Sequence, residues 1–266
     1  MSDATTYNRN FCNSLQEFSY INSKSILDVG CGNGDLVRYI ATHYKPKYII
    51  GIEPALEVYW DASECSGENW RVQYGDVEHI DFDDNTFDLV ISYSTFEHIN
   101  EIDIALNEVK RVLKPYGRFY TEFMPIWTSA AGHHFLHGKD RWWTPEHILS
   151  IPPWGHLYLT EIEMKQHLEY LINDKSLVEE ILSYIYHSNY INRRSRSELS
   201  HAFFTSQMIV KCYEERVSFN RLGFITGEKT SELTNDIIDS IKKTKYNVED
   251  IGVAGLRVCL EKYSSL

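Results

Sequence analysis

No stretch of this sequence is both apolar and long enough to form a helix that crosses a bilayer. The opening residues Met1–Thr6 lack the basic and apolar regions of a secretory signal, so a cytoplasmic protein without a membrane partner is expected. The five cysteines are odd in number and irregularly spaced, which fits neither a disulfide framework nor a paired-cysteine metal motif. Basic side chains are also scarce: 26 Lys and Arg face 38 Asp and Glu, a formal charge of −12. Nucleic-acid binding displaces counterions from phosphates with a lysine and arginine face, so no nucleic-acid partner is expected. The one basic cluster, Arg193, Arg194 and Arg196, reads either as a solvated helix end or as a clamp for a phosphate or carboxylate.

What the chain does have is a strand, a turn and a helix joined by alternating glycines. Ile26, Leu27 and Val29 make a short apolar run typical of a buried parallel strand, and Leu36, Val37, Tyr39 and Ile40 recur at helical spacing just beyond. Between them stand Gly30, Gly32 and Gly34. Glycine permits a positive φ and close approach of a ligand to the backbone, and the helix that follows begins with unpaired N–H groups. Asp28 precedes the turn inside the strand. About twenty residues on, Tyr48–Glu53 reads as a second buried strand ending in a carboxylate, where doubly wound folds place the acid that binds a ribose. A third strand is expected to end at Tyr74-Gly75-Asp76-Val77 and a fourth to cover Phe87–Ser92. The stretch Val109–Phe119 closes a helix and enters a fifth.

Over residues 25 to 125 these five motifs, in this order and spacing, resemble the class I S-adenosylmethionine-dependent methyltransferases, in their small-molecule branch. Tyr116 departs from that pattern, which usually has Gly before Gly117. The resemblance implies an α/β fold: a Rossmann-like, seven-stranded, mostly parallel sheet with an antiparallel edge strand and a helical insertion after the fifth strand. It implies S-adenosylmethionine as cofactor and S-adenosylhomocysteine as product. Carried over by residue, Gly30, Gly32 and Gly34 face the methionine end and Asp28 its ammonium. Glu53 and Pro54 take the ribose, Asp76 and Val77 the adenine, and Ser92 lies under the sulfonium. Tyr7 and Phe11 lie in a segment that often folds over the cofactor in such enzymes. Cys31 is a neutral filler.

The core is expected to comprise residues 1–125 and 229–266, the latter holding an amphipathic helix at Ser231–Ile241 and a final strand at Val253–Tyr263. Residues 126–228 are expected to form a helical lid that binds the acceptor, or a subdomain that builds a homodimer. Apolar residues recur at helical spacing over Glu161–Leu171, Ser176–Tyr186 and Ser197–Val217.

Just after the fifth strand, histidines, cations and tryptophans crowd together between Ala130 and His147. Methyl transfer is an in-line displacement that requires alignment and exclusion of water, and an alcohol acceptor must also lose a proton. His133 and His134 are the candidate catalytic bases, each equally able to serve as a packing residue. His137, Arg141, Trp142, His98 and Glu122 are candidate acceptor-binding residues. His133 and His137 stand four apart, but no carboxylate completes a facial set, so no metal is expected. Ser92-Tyr93-Ser94-Thr95-Phe96 replaces the Asn/Asp-Pro-Pro-aromatic motif of amino methylation, which favours an oxygen acceptor. The cation and tryptophan set suggests a small polar molecule: a sugar, nucleotide-sugar or phosphate-bearing metabolite, as in surface-glycan or polysaccharide synthesis. Three alternatives stay open: an already anionic phosphate- or phosphoramidate-type oxygen that needs no base, aminopropyl transfer, and cofactor binding without catalysis. Aminopropyl transfer is disfavoured because Ser92–Ser94 supply no carboxylate pair.

Overall fold

The computed structural model describes residues 4–55, 65–135, 150–220 and 231–264. Its centre is a seven-stranded sheet in the order β3-β2-β1-β4-β5-β7-β6. The strands are β1 (Ser25–Val29), β2 (Tyr48–Glu53), β3 (Trp70–Tyr74), β4 (Phe87–Tyr93), β5 (Leu113–Phe123), β6 (Ile209–Val217) and β7 (Val253–Glu261). β1, β2, β3, β4 and β5 pair in parallel, and β7 runs antiparallel to β5. All of β1 is buried and nearly all of β2, as expected of strands covered on both faces. The expected α/β class, a seven-stranded, mostly parallel sheet with an antiparallel strand toward one edge of it, is the architecture observed; the expectation put that strand at the edge itself, whereas β7 lies between β5 and the outer β6.

Two helices cover one face. α1 (Ala4–Gln16) buries Phe11, Cys12 and Leu15, and α2 (Asp35–His43) buries Leu36, Val37 and Ile40. These join Ile26, Ile49, Val72, Leu89, Ile91, Tyr120 and Cys259 in one core cluster. Phe11 packs 5.0 Å from the ring of Tyr93 and 5.3 Å from that of Tyr120, whereas Tyr7 is exposed. On the other face, α3 (Ile102–Val112) buries an Ile102, Ala105, Leu106, Val109 stripe at helical spacing, and Phe96, Phe119, Phe123 and Phe203 form an aromatic cluster.

Helix α3 passes directly into β5. The pairing with β4 then jumps from Phe87↔Leu113 to Leu89↔Arg118, so residues 114–117 bulge out of the ladder. Tyr116 holds φ 62 within this bulge, a left-handed conformation that costs an L-residue about 1–2 kcal/mol. Its side chain is 69% exposed, so little packing offsets that cost. Tyr116→Gly is therefore expected to raise the melting temperature by about 2 °C, read by thermal denaturation. No gain would mean that the tyrosine ring contributes as much as its backbone conformation costs.

One side chain gathers several elements of this layer. Arg257 on β7 donates to Glu17 at 2.6 Å and to the carbonyl of Ser14, both at the end of α1. It also donates to Glu214 of β6 at 3.0 Å and to the Tyr120 hydroxyl at 2.9 Å, and it lies over the ring of Phe18.

The chain divides into two compact units, residues 1–123, 201–214 and 256–266 in the first and residues 124–200 and 215–255 in the second. The second contains α4 (Gly155–Tyr158), α5 (Glu161–Leu171), α6 (Lys175–His187) and α8 (Asn235–Ile241); α7 (Arg196–Thr205) runs from the second unit into the first. Its core is built on Trp127, Phe135, Trp154, Met164, Leu168, Ile181 and Ile185. Trp154, fully buried, donates its indole N–H to the Ile251 carbonyl at 3.0 Å, and Trp127 donates to the Tyr246 hydroxyl at 2.7 Å. α5 opens with a complete capping box between Thr160 and Glu163. The helices expected over Glu161–Leu171 and Ser176–Tyr186 are α5 and α6. The helix expected over Ser197–Val217 is corrected: it stops at Thr205, and Ile209–Val217 is a strand.

Candidate functional site

The turn after β1 is where backbone and side-chain chemistry converge. Gly30, Gly32 and Gly34 all hold positive φ, at 72°, 52° and 69°. Each is glycine for its own reason. A Cβ on Gly30 would stand 2.2 Å from the Thr95 side chain, whose hydroxyl donates to the Gly30 carbonyl at 3.2 Å. Gly34 is the left-handed N-cap of α2. A Cβ on Gly32 would meet nothing within 4 Å, so this residue borders open space. Close packing accounts for Gly30, and room beside the backbone for Gly32.

Glu53, at the end of β2, reaches back to that turn. One carboxylate oxygen accepts the Gly32 N–H at 2.9 Å and the other the Ala55 N–H at 3.1 Å. Both oxygens are thereby fixed, and each retains a lone pair for a further donor. Pro54, next in the chain, is exposed.

Asp28 is 1% exposed, and its Oδ2 has no hydrogen-bond partner. Burial first, and then the charge of Glu53, pushes its carboxyl well above the usual carboxylate range. A buried acceptor left unpaired costs about 1–3 kcal/mol, so the arrangement suits a cationic or N–H-bearing group that would complete it. The same burial raises the Cys31 thiol far above its ordinary value, which removes it as a nucleophile and agrees with a filler role.

The remaining candidate residues are distributed differently. Ser92 is fully buried with an unpartnered hydroxyl, but strand alternation places it opposite to Asp28. Asp28 is in register with Ile91, and both belong to the face covered by α1 and α2, so the next residue points the other way. Its register neighbour Thr121 carries a second unpartnered buried hydroxyl. Asp76 falls after β3, not within it. It is exposed and caps its own turn by accepting the Glu78 N–H at 2.9 Å, while Val77 beside it is buried. His98 is half-buried in the turn after β4, its N–H donating to the Thr95 carbonyl. Glu122 is buried on β5, accepts a very short hydrogen bond from Tyr120, and lies 3.9 Å from Arg257.

His133 and His134 lie in the second unit and are almost wholly buried. They differ in tautomer. His133 Nδ1 accepts the Phe135 N–H at 3.1 Å, so its neutral ring carries the proton on Nε2. His134 Nδ1 faces the Gly132 carbonyl at 3.0 Å and must donate to it, which leaves the lone pair on Nε2. A base requires the second form. Nearby His156 meets the Trp127 carbonyl at 2.7 Å, and burial lowers its pKa to about 4, so it stays neutral in the physiological range. His137, Arg141 and Trp142 lie outside the described residues.

The arginine cluster is occupied by the protein itself. Arg196 pairs with buried Asp250 at 3.1 Å, Arg194 with Glu198 at 3.9 Å, and Arg193 donates to the Ile185 carbonyl while lying over the Trp127 ring. These contacts favour the structural reading of the cluster over a phosphate clamp. Reading the sequence did not find Thr95, and a hydroxyl three residues past a buried strand carries no signal of its own.

Comparison with known proteins converges on one fold and one domain type. A family model described as a methyltransferase domain matches residues 27–121. Among curated proteins, YrhH of Bacillus subtilis, named as a methyltransferase, is 36% identical over 98 residues, covering 36% of this chain and 54% of that protein. A malonyl-[acyl-carrier protein] O-methyltransferase of Geobacter sulfurreducens is 36% identical over 96 residues, covering 35% of this chain and 36% of the enzyme. The chain thus spans about half the length, or less, of these relatives. Among solved structures, an S-adenosylmethionine-dependent methyltransferase from Mesorhizobium loti superposes with a TM-score of 0.54 at 14% identity, over 94% of this chain and 96% of that one, a likeness of fold.

Proposed function

We infer that this protein transfers the methyl group of S-adenosylmethionine to an oxygen of a small polar acceptor, starting from the class I S-adenosylmethionine-dependent methyltransferase domain it carries at residues 27–121. The observation that supports the cofactor most strongly is the buried, unpartnered Asp28 Oδ2 ahead of a glycine turn with open space at Gly32. An ammonium group would complete Asp28, as the amino-acid end of S-adenosylmethionine provides and a nicotinamide dinucleotide does not. Gly30, Gly32 and Gly34 would form the cradle for that end. Glu53, its oxygens fixed by two backbone donors, would receive ribose hydroxyls, with Pro54 alongside, and Asp76 and Val77 would border the adenine. Ser92, whose hydroxyl lies on the opposite face, would contribute through its backbone. When bound, the cofactor supplies an electrophilic methyl carbon, so the chain's residues need only orient the acceptor and exclude water.

For the acceptor, the serine-rich turn after β4 and the O-methyltransferase name of the Geobacter relative both support oxygen. A sugar, nucleotide-sugar or phosphate-bearing metabolite remains our proposed class, supported by the histidines, cations and tryptophans between residues 133 and 143. His134, with its lone pair on Nε2, is the preferred base, and His133 the donor. His134→Asn is expected to lower kcat by about 10²–10⁴ and to flatten a rate that otherwise rises through a histidine pKa. Because His156 titrates near 4, it cannot produce such a rise at neutral pH. A flat profile in the unaltered protein would instead favour an acceptor oxygen that is already anionic, which is the second reading.

Titration calorimetry with S-adenosylmethionine and S-adenosylhomocysteine tests the cofactor, with NAD as control. A screen for S-adenosylhomocysteine release against sugars, nucleotide sugars, phosphorylated metabolites and acyl carriers tests the acceptor. Tight binding without turnover on any of them would favour a cofactor-binding protein, and absence of binding would overturn the proposal.

A further inference from the structure

Helix α1 carries a carboxamide on its buried stripe. Asn8, Phe11, Cys12 and Leu15 recur at spacings of three and four residues, so they share one face, and all four are buried. Phe11, Cys12 and Leu15 belong to the core. Asn8 is only 7% exposed, yet its carboxamide makes no hydrogen bond among the described residues. A buried amide without a partner costs stability, and leucine would fill the position without that cost, so the fold does not explain the asparagine.

The stripe leads to the glycine turn. Gln16 donates to the Tyr44 hydroxyl at 3.4 Å, just past the last turn of α2, and Phe11 packs on Tyr93, the last residue of β4. Helix α1, followed backwards, thus climbs from the C-terminal end of α2 toward the ends of the strands. Tyr93 adjoins the turn, because the Thr95 hydroxyl lies 3.2 Å from the carbonyls of both Tyr93 and Gly30. Cys12 lies near Asp28: its thiol is pushed up to about 12 by burial and, to a lesser extent, by the Asp28 carboxylate, against a hydrogen bond with Tyr44. Asn8 stands one turn beyond Cys12, about 6 Å further along the helix at about 1.5 Å per residue. Gly30 stands two residues beyond Asp28, about 6–7 Å further along the strand. The carboxamide is therefore level with the turn, on the face of the sheet to which Asp28 belongs.

Most donors of that turn are engaged within the protein. The N–H groups of Gly30 and Cys31 both go to the Ile52 carbonyl, at 2.9 and 3.1 Å, that of Gly32 to Glu53 at 2.9 Å and that of Gly34 to the Cys31 carbonyl at 2.8 Å. An ammonium fits Asp28, but the carboxylate beside it in an amino acid meets two acids, Asp28 and Glu53, and these four engaged N–H groups. We propose that Asn8 binds the carboxylate at the amino-acid end of S-adenosylmethionine, its side-chain NH2 supplying the donors that the turn has used elsewhere. The amide is neutral, and that matters here. A lysine or arginine in its place would pair with Asp28 itself and compete with the ammonium, whereas asparagine holds the carboxylate and leaves Asp28 to its partner. This assignment rests on the S-adenosylmethionine reading of the site.

Titration calorimetry on the full chain tests it with two ligands: S-adenosylhomocysteine, and its decarboxylated analogue, which keeps the ammonium and lacks the carboxylate. Asn8→Leu is expected to weaken S-adenosylhomocysteine binding about ten- to a hundredfold, the loss of a hydrogen bond to a charged group, and to leave the analogue unchanged. Asn8→Asp, of the same size, sets a carboxyl against the ligand carboxylate and should make the analogue the tighter ligand. The melting temperature of ligand-free Asn8→Leu should equal or exceed that of the unaltered protein. Normal S-adenosylhomocysteine binding by Asn8→Leu would overturn the proposal, as would an equal loss for both ligands or an unfolded variant, since either would make Asn8 a support of α1. Failure of the unaltered protein to bind S-adenosylhomocysteine would instead defeat the cofactor reading, and this assignment with it.

Discussion

Asp28→Asn is expected to weaken S-adenosylmethionine binding by two to three orders of magnitude while raising the melting temperature of the cofactor-free protein. The two effects share one cause. Asp28 is buried with Oδ2 unpartnered and its pKa is raised, first by burial and then by Glu53. A group whose folded pKa exceeds its unfolded value stabilises the fold fully below the unfolded pKa, and that contribution is lost as pH rises through the folded one. The cofactor-free protein should therefore lose stability as pH rises from the ordinary carboxylate range toward the raised value. The Asn variant should lack that slope and melt about 2–4 °C higher at neutral pH, taking ~1 kcal/mol for the relieved charge. Removing one partner of a buried ion pair costs about 3–5 kcal/mol, and the lower part of that range, about 3–4 kcal/mol, corresponds to the stated loss of affinity. Calorimetry and thermal denaturation measure both. A variant that binds normally would remove Asp28 from the cofactor site, and one that binds poorly because it has unfolded would refute the account of its burial.

The glycines of the turn should fail in different ways. Gly30→Ala drives a methyl group to within 2.2 Å of Thr95 at a φ of +72°, combining overpacking with backbone strain at about 3 kcal/mol or more. It is expected to give insoluble or unfolded protein, and Thr95→Gly in the same chain should recover part of the loss. Gly32→Ala meets no atom within 4 Å and carries only the strain of its +52° φ, about 1 kcal/mol. That variant should fold yet bind cofactor at least about tenfold more weakly, because the methyl occupies space a ligand would need. Solubility, melting temperature and calorimetry on the pair separate the two. Equal behaviour would mean that the open space at Gly32 has no role in binding.

The first half of the fold was legible because buried parallel strands leave an unambiguous trace. Ile26–Val29, Tyr48–Glu53 and Phe87–Ser92 are apolar runs bounded by turn residues, and each is a strand within a residue or two. β3 is harder to place: of Trp70–Tyr74 only Val72 is buried, the others being half-buried or exposed, and its end lies before Gly75, not at Val77. The misreading at Ile209–Val217 has a physical source. An edge strand faces solvent along its length, so Lys211, Glu214, Glu215 and Arg216 interrupt the alternation, and Leu199, Phe203, Met208 and Tyr213 then mimic a helical stripe. At the site, residue types pointed to Asp28 and Glu53. They carried no information on which face Ser92 occupies, which ring nitrogen of His134 bears the proton, or that Thr95 fills the space behind Gly30. Those depend on register and on hydrogen bonds made after folding.

Arg257 has a consequence for the order in which the protein assembles. Its contact with Glu17 joins residues 240 positions apart, and β6 has β7 as its neighbour in the sheet although β7 follows it in the chain. During synthesis, α1 emerges 240 residues ahead of its latch, and β6 must wait for β7 before it has an edge to join. Such long-range closures slow folding and leave apolar surfaces such as Phe11, Cys12 and Leu15 exposed in the interim. Nascent chains cut short of Val253 should therefore be substrates for chaperones and proteases, and β7 acts as the commitment point of the whole sheet.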